Sequence, residues 1–210
     1  MAALMSTLTK DSGEELAHRG RGRPRDEVVR GRILSAALAV LEDLGFANAT
    51  NDAIAERAGA SKATIYRWWP NKAAVLMEAL SEAITQELPF PDTGNLRDDL
   101  RLQLRNFIKL LTGRRGRVFK AFAAAAQTDL DVSEAFRSVW VQPRRANAKA
   151  ILERYRNDDM REGVDLDLVM DCLYGPLYYH VMVRHAPISE EYADALADLI
   201  FDAIKKRDCK

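Results

Sequence analysis

An all-α fold is what this sequence predicts, on three observations. Strand signals are nearly missing, with no sustained alternation of Val, Ile and Thr and no Asn-Gly hairpin turn. Apolar residues recur instead at spacings of three and four along most of the 210 residues. Residues that cap or turn helices, such as Thr50, Ser61 and Asn71, Gly45 and Gly59, punctuate that pattern. With 48% hydrophobic residues the chain has the material for a buried core, which argues against wholesale disorder.

The first long helix runs over 26–44, where Val29, Ile33, Ala37, Val40, Leu41 and Leu44 mark one buried face. Gly45 is expected to close it as a left-handed cap. Thr50 then caps a short helix over 51–58, and Gly59 permits a sharp turn. Ser61 caps a second short helix over 62–69, which Pro70 stops, and Asn71 caps a third that reaches about residue 88. Pro89-Phe90-Pro91-Asp92-Thr93-Gly94 is the clearest internal break. Further helices are expected at about 95–112, 116–128, 131–157, 165–184 and 189–206, with Pro143 and Gly175-Pro176 kinking or opening two of them. No repeat is present.

Composition narrows the classes of function. No apolar run is long enough for a membrane span, and the N-terminal 25 residues lack the apolar stretch of a signal peptide, so they are expected to form a disordered arm. Cys172 and Cys209 form no CxxC pair. Cys172 is expected to be a buried structural thiol, and the chain to reside in a reducing cytoplasm. Histidines are confined to His18, His180 and His185, and no HExxH, P-loop, GxGxxG fingerprint or nucleophile elbow occurs. No catalytic, metal or cofactor site is therefore expected, and an α-helical enzyme stands as the remote alternative. Net charge is zero, yet residues 19–72 hold ten Arg and Lys against six Asp and Glu. That basic third suggests a polyanionic partner.

Two short helices joined by a tight glycine link form a helix-turn-helix pattern. Ile54, Ala55 and Ala58 occupy one side of the first, and Ile65 and Trp69 one side of the second. The other side of the second helix presents Lys62, Ala63, Thr64 and Arg67, a set suited to a DNA major groove. Lys62 or Arg67 can pair with guanine acceptors, while Tyr66, Trp68 and Lys72 suit phosphates. Upstream, Arg19-Gly20-Arg21-Gly22-Arg23-Pro24-Arg25 is similar to a minor-groove AT-hook, in which Arg21 and Arg23 would add affinity and salt sensitivity.

The stretch from Thr50 to Lys72 resembles the signature of the TetR family of bacterial transcription regulators. Ile54, Ala55, Ala58, Gly59, Ser61, Thr64, Tyr66 and Lys72 match its pattern directly. Trp69 stands where the family usually has Phe, and Trp68 where it often has His or another polar residue. The resemblance implies that Thr50 joins the DNA-contacting set. It also implies a DNA-binding domain over 26–72 with a linking helix at 73–88, and an effector-binding and dimerisation domain over 89–210. The last two helices would pack on a second copy as a four-helix bundle, through Leu168, Val169, Leu173, Leu177 and Val181 and through Tyr192, Leu196, Leu199, Ile200 and Ala203. Such a homodimer would hold an inverted-repeat operator in double-stranded DNA. An unidentified small-molecule effector would release it, although an activator or a ligand-independent regulator fits the same residues. Phe107, Leu111, Phe119, Phe122, Trp140, Tyr174, Tyr178 and His180 are the candidates for the effector cavity. Arg114-Arg115-Gly116-Arg117 and Arg144-Arg145 are expected to be solvated surface.

Overall fold

The computed structural model describes residues 23–206. Helices α1 (Arg23–Asn48), α2 (Asn51–Ala58), α3 (Lys62–Trp68) and α4 (Lys72–Glu87) come first. They are followed by α5 (Leu96–Thr112), α6 (Arg114–Ala125), α7 (Leu130–Ala135), α8 (Gln142–Arg154), α9 (Leu166–Tyr178) and α10 (Glu190–Ile204). No strand occurs among the described residues.

Local chemistry sets the boundaries. The side chains of Thr50, Ser61, Asn71, Asn95, Asp129 and Ser189 each accept the backbone N–H three residues on, satisfying donors that an α-helix leaves free at its start. Gly59 takes a left-handed conformation (φ 58, ψ 41), and Ala60 N–H donates to the Ala55 carbonyl at 3.0 Å, ending α2 in a tight reversal. Gly45 behaves differently from the expected cap. Its φ of 73 is paired with an extended ψ of 169, a region reserved for glycine, and helical turns resume as far as Asn48. Leu44, expected inside, is 47% exposed, on the last helical position before the break at Gly45.

α1 lies at the centre of the first four helices. Ile33, Leu34, Ala37, Val40 and Leu41 are buried against α2 and α4. The α6 helix fastens this head to the rest. Its Arg115 reaches Glu42 of α1 at 3.1 Å and also pairs with Glu87 of α4, while Phe122 meets Phe46 with ring centroids 4.4 Å apart. Arg115 is thus an internal strut and not the solvated charge expected. The close α5–α6 junction requires Gly116, where a side chain would strike the Leu110 and Leu111 carbonyl oxygens.

The segment expected as one helix over 131–157 is α7, a π-helical stretch Phe136–Val141, and α8. Pro143 cannot donate to the Val139 carbonyl four residues earlier, and the Ser81 hydroxyl donates to that oxygen instead, at 3.4 Å. Pro176 likewise sits inside α9 without ending it, and the helix widens just afterwards, over Tyr179–Val183.

Apolar residues on α9 and α10 fall on two faces where one was expected. Val169, Leu173, Leu177 and Ile200 are buried inward. Leu168 (61%) and Leu199 (68%) point outward, and so do Tyr179 (54%) and Val183 (62%) on the widened stretch after α9. Cys172 lies on this outer side, so the expected burial of its thiol is corrected: the residue is exposed.

α10 packs on α5 through a ladder of charge pairs. Arg101 grips Asp198 with two bonds of 2.8 and 2.5 Å, Arg97 donates to the same carboxylate at 2.8 Å, and Arg105 donates to Asp194 at 2.6 Å. Hydrogen bonds from these guanidiniums lower both carboxyls, holding that of Asp198 well below the usual aspartate range. A depressed carboxylate contributes stability above its unfolded-state value of about 3.9, and the contribution is lost as pH falls toward the folded value. Between about pH 5 and pH 3, then, Asp198→Asn is expected to lose less melting temperature than the parent protein. Equal losses in a pair of calorimetric scans would mean the ladder is not part of the acid response.

Candidate functional site

The exposed side of α3 is built by burial of the opposite side. Ile54, Ala55 and Ala58 of α2 are buried, and so are Ile65 (0% exposed) and Trp69 (3%). Trp69 Nε1–H donates to Glu78 Oε2 at 2.5 Å, which ties the end of α3 to α4. With those two residues anchored inward, the 100° step of the helix turns Ala63, Tyr66 and Arg67 outward, and Lys62 is exposed as the first residue of the helix. Thr64 is half-buried, its hydroxyl 2.8 Å from that of Ser61. Thr50 caps α2 at the exposed start of that helix. Tyr66 (55%) and Trp68 (37%) keep enough surface to stand outside the core.

Both cations on this face already have carboxylate partners. Lys62 Nζ lies 2.6 Å from Asp52, whose hydrogen bond and charge raise the ammonium pKa. Arg67 lies 2.9 Å from Asp26 and stacks 5.5 Å from the centre of the Trp68 ring. All four charged side chains are about half exposed. Such surface pairs are worth about 0–1 kcal/mol, so an incoming phosphate or base edge can replace either carboxylate cheaply. Sequence patterning could not show these partners, since Asp26 is 41 positions from Arg67. Lys72, at the start of α4, turns back on its own chain, donating to the Phe46 carbonyl at 3.4 Å and lying 4.9 Å from that ring. Arg21 and the arm before it lie outside the described residues. Arg23 is the first residue of α1.

A second site lies between α5, α8 and α9, where a cavity of about 380 Å³ opens. Two stripes with a four-residue step face it: Phe136, Trp140 and Arg144 on one side, Met170, Tyr174 and Tyr178 on the other. Phe107 of α5 completes an aromatic wall, its ring centre 5.2 Å from Tyr174 and 5.6 Å from Tyr178. Burial pushes the Tyr178 phenol up to about 12 and raises that of Tyr174, so both remain neutral hydroxyls near neutral pH. The structure therefore brings four of the eight candidates, Phe107, Trp140, Tyr174 and Tyr178, to the cavity.

The other four lie elsewhere. Phe119 sits behind the wall, fully buried against Phe107, Phe136, Trp140 and Tyr178. Leu111 and Phe122 are core residues, and His180 packs on Tyr192 with Arg184 3.0 Å from its Nε2. Phe136, Met170 and Arg144 were missed. Their signal was the four-residue step linking each to Trp140 or Tyr174 along one helix face.

Comparison with known proteins addresses both halves of the chain. Residues 33–79 match the family model described as bacterial regulatory proteins, tetR family, and residues 90–200 match the tetracyclin repressor-like C-terminal domain. The uncharacterized HTH-type transcriptional regulator YdeS of Bacillus subtilis (strain 168) is 41% identical over 186 residues, covering 88% of this chain and 92% of its own. The uncharacterized HTH-type transcriptional regulator Rv1556 of Mycobacterium tuberculosis (strain ATCC 25618 / H37Rv) is 31% identical, covering 79% and 82% respectively. Among solved structures, the TetR family transcription regulator SCO0332 superposes with a TM-score of 0.76 at 35% identity, over 83% of this chain and 97% of that one. Built on a capped helix-turn-helix and matched along nearly all of its described length, this chain belongs to the TetR family of helix-turn-helix transcriptional regulators.

Proposed function

We propose that this chain is a cytoplasmic repressor, not an enzyme: a homodimer that holds an inverted-repeat operator through α3 and leaves it when a small molecule enters the α5–α8–α9 cavity. The observation that carries this reading is the outward face of α3, where Lys62, Tyr66, Arg67 and Trp68 stand together above a buried Ile65 and Trp69. Residues 26–72, with the linking helix to 88, form the DNA-binding part, and 89–210 form the effector and dimer part. The apolar outer sides of α9, of the widened stretch after it and of α10, with Leu168, Tyr179, Val183 and Leu199, favour pairing with a second copy. No described helix is long and apolar enough to cross a membrane.

α6 supplies one physical link between cavity and DNA face, beside the bond from Ser81 of α4 to the Val139 carbonyl next to Trp140. Its Phe119 packs behind the aromatic wall, while Arg115 and Phe122, on the neighbouring turns, grip α1 and α4. A ligand that displaces Trp140 or Tyr178 presses on Phe119, and the head moves with α6. Linkage requires that operator DNA weaken ligand binding by the same factor by which ligand weakens operator binding.

Selection of bound sequences from random duplex DNA tests the reading. The expected product is an inverted repeat with half-sites about one helical turn apart. Arg67→Ala should weaken binding to that sequence by about 1–3 kcal/mol and relax its preference at one base position. Tyr66→Phe should weaken all sequences alike. Recovery of no sequence, or an Arg67→Ala protein with unchanged preference, contradicts the assignment of this face.

A further inference from the structure

We propose that the ligand of the cavity is a compact aromatic carboxylate, held by Arg144 with its ring between Trp140 and the Tyr174–Tyr178 stripe. The inference rests on the proposed ligand-responsive function and adds the chemical class of the ligand.

Three charged side chains line the cavity: Arg144, Arg145 and Asp171. Asp171 is taken by Arg145, at 2.5 Å, and Asp167 by Arg145 and Lys149, at 3.0 and 2.7 Å. Arg144 has no hydrogen bond or ion pair to any described residue, and its guanidinium lies 4.6 Å from the centre of the Trp140 ring. The cavity therefore carries one uncompensated positive charge in a largely apolar setting. Burial lowers the pKa of this group, and its electrostatic neighbours are the hydroxyls of Tyr174 and Tyr178, with no carboxylate among them.

The guanidinium is half-buried and stacked on Trp140, but no acceptor meets its N–H donors, which leaves them open to an anion in a largely apolar setting. A carboxylate suits it, because the planar fork donates two parallel N–H bonds to two oxygens, and a carboxylate is smaller than the phosphate that could accept the same pair in a cavity of about 380 Å³. The Tyr174 hydroxyl is a further donor: it accepts from Gln103 Nε2 at 2.8 Å, which leaves its own proton free. Gln103 is itself 2% exposed, with its Oε1 unpartnered. The aromatic and thioether walls of Phe107, Phe136, Trp140 and Met170 select a flat apolar body. Volume limits that body, since about 380 Å³ lies near the lower end of the usual range for small-molecule sites.

The test uses the full-length protein and matched probes: benzoate, 2-naphthoate and biphenyl-4-carboxylate, each against its neutral primary amide. Affinity is measured by calorimetry and the thermal shift by scanning fluorimetry. At least one acid is expected to bind tenfold or more tighter than its amide. Arg144→Gln should abolish that preference with little effect on the amide, and Arg144→Lys should keep part of it. In ligand-free protein, Arg144→Gln should leave the melting temperature within ~2–4 °C of the parent, because the charge that leaves the cavity takes its stacking on Trp140 with it. A panel in which no acid outperforms its amide overturns the proposal. So does an Arg144→Gln protein that loses melting temperature and affinity for both probes together, since the side chain would then be holding the wall and not the ligand. An acid that binds through Arg144 without moving operator affinity leaves this inference standing and removes ligand-controlled release. A neutral molecule that releases the operator equally from parent and Arg144→Gln does the reverse.

Discussion

Phe119→Ala is expected to lower the unfolding free energy by about 3–5 kcal/mol. The melting temperature should fall by ~6–20 °C for a chain of this size. The ring is fully buried, and four aromatic neighbours surround it: Trp140 at 5.0 Å, Phe136 at 5.6 Å, and Phe107 and Tyr178 each at 6.2 Å between centres. Removing it forfeits the transfer free energy of the ring and leaves a void that such large, stiff neighbours fill poorly. The loss is functional as well as structural, because Phe119 separates the cavity from the part of α6 that holds Glu42 and Glu87. Merging the void with the cavity should admit larger apolar ligands and weaken the effect of ligand on operator affinity. Urea titration at fixed protein concentration measures the first effect. A midpoint that barely moves would show that the aromatic cluster rearranges to fill the gap, and that α6 is not propped from this side.

What the sequence made legible was local. α2, the turn at Gly59 and α3 are specified by residues within three or four positions of one another: Thr50 with Ala53, Ser61 with Thr64, Gly59 with Ala55 and Glu56. The outward position of Tyr66 and Arg67 follows from the same short periodicity once Ile65 and Trp69 are assigned inward, and that of Lys62 from its place as the first residue of α3. Tertiary facts were not legible. The partners of Lys62 and Arg67, on α2 and α1, depend on how helices cross and not on spacing along α3. Arg144 and Arg145 are adjacent and look alike in sequence, yet a 100° rotation puts one over Trp140 and the other against Asp167 and Asp171. α9 and α10 are apolar on two sides, so hydrophobicity alone cannot assign Leu168 and Cys172 to the outer side. Pro143 signalled a fault in its helix. The form of the fault, a π turn with Ser81 covering the freed Val139 carbonyl, required the neighbouring helix to be in place.

Trp69→Ala is expected to cost about 3–5 kcal/mol of stability and to weaken every DNA sequence in similar measure, which separates it from Arg67→Ala. The indole is 3% exposed, and its N–H donates to Glu78, a residue that also pairs with Arg30 of α1. One side chain thus joins α3 to α1 and α4 together. Without it the seven residues of α3 keep Ile65 as their one buried anchor, too little for so short a helix, which cannot hold its shape unaided. Trp69→Phe keeps the aromatic filling but loses the bond to a charged acceptor, for an expected cost of about 1.5–3 kcal/mol. The order of melting temperatures should be parent, Trp69→Phe, Trp69→Ala, with loss of hydrogen-exchange protection centred on the α3 amides. Should Trp69→Ala match the parent in both melting and α3 protection, the recognition helix must draw its rigidity from elsewhere, and the exposed position of Arg67 would no longer be explained by its buried neighbours.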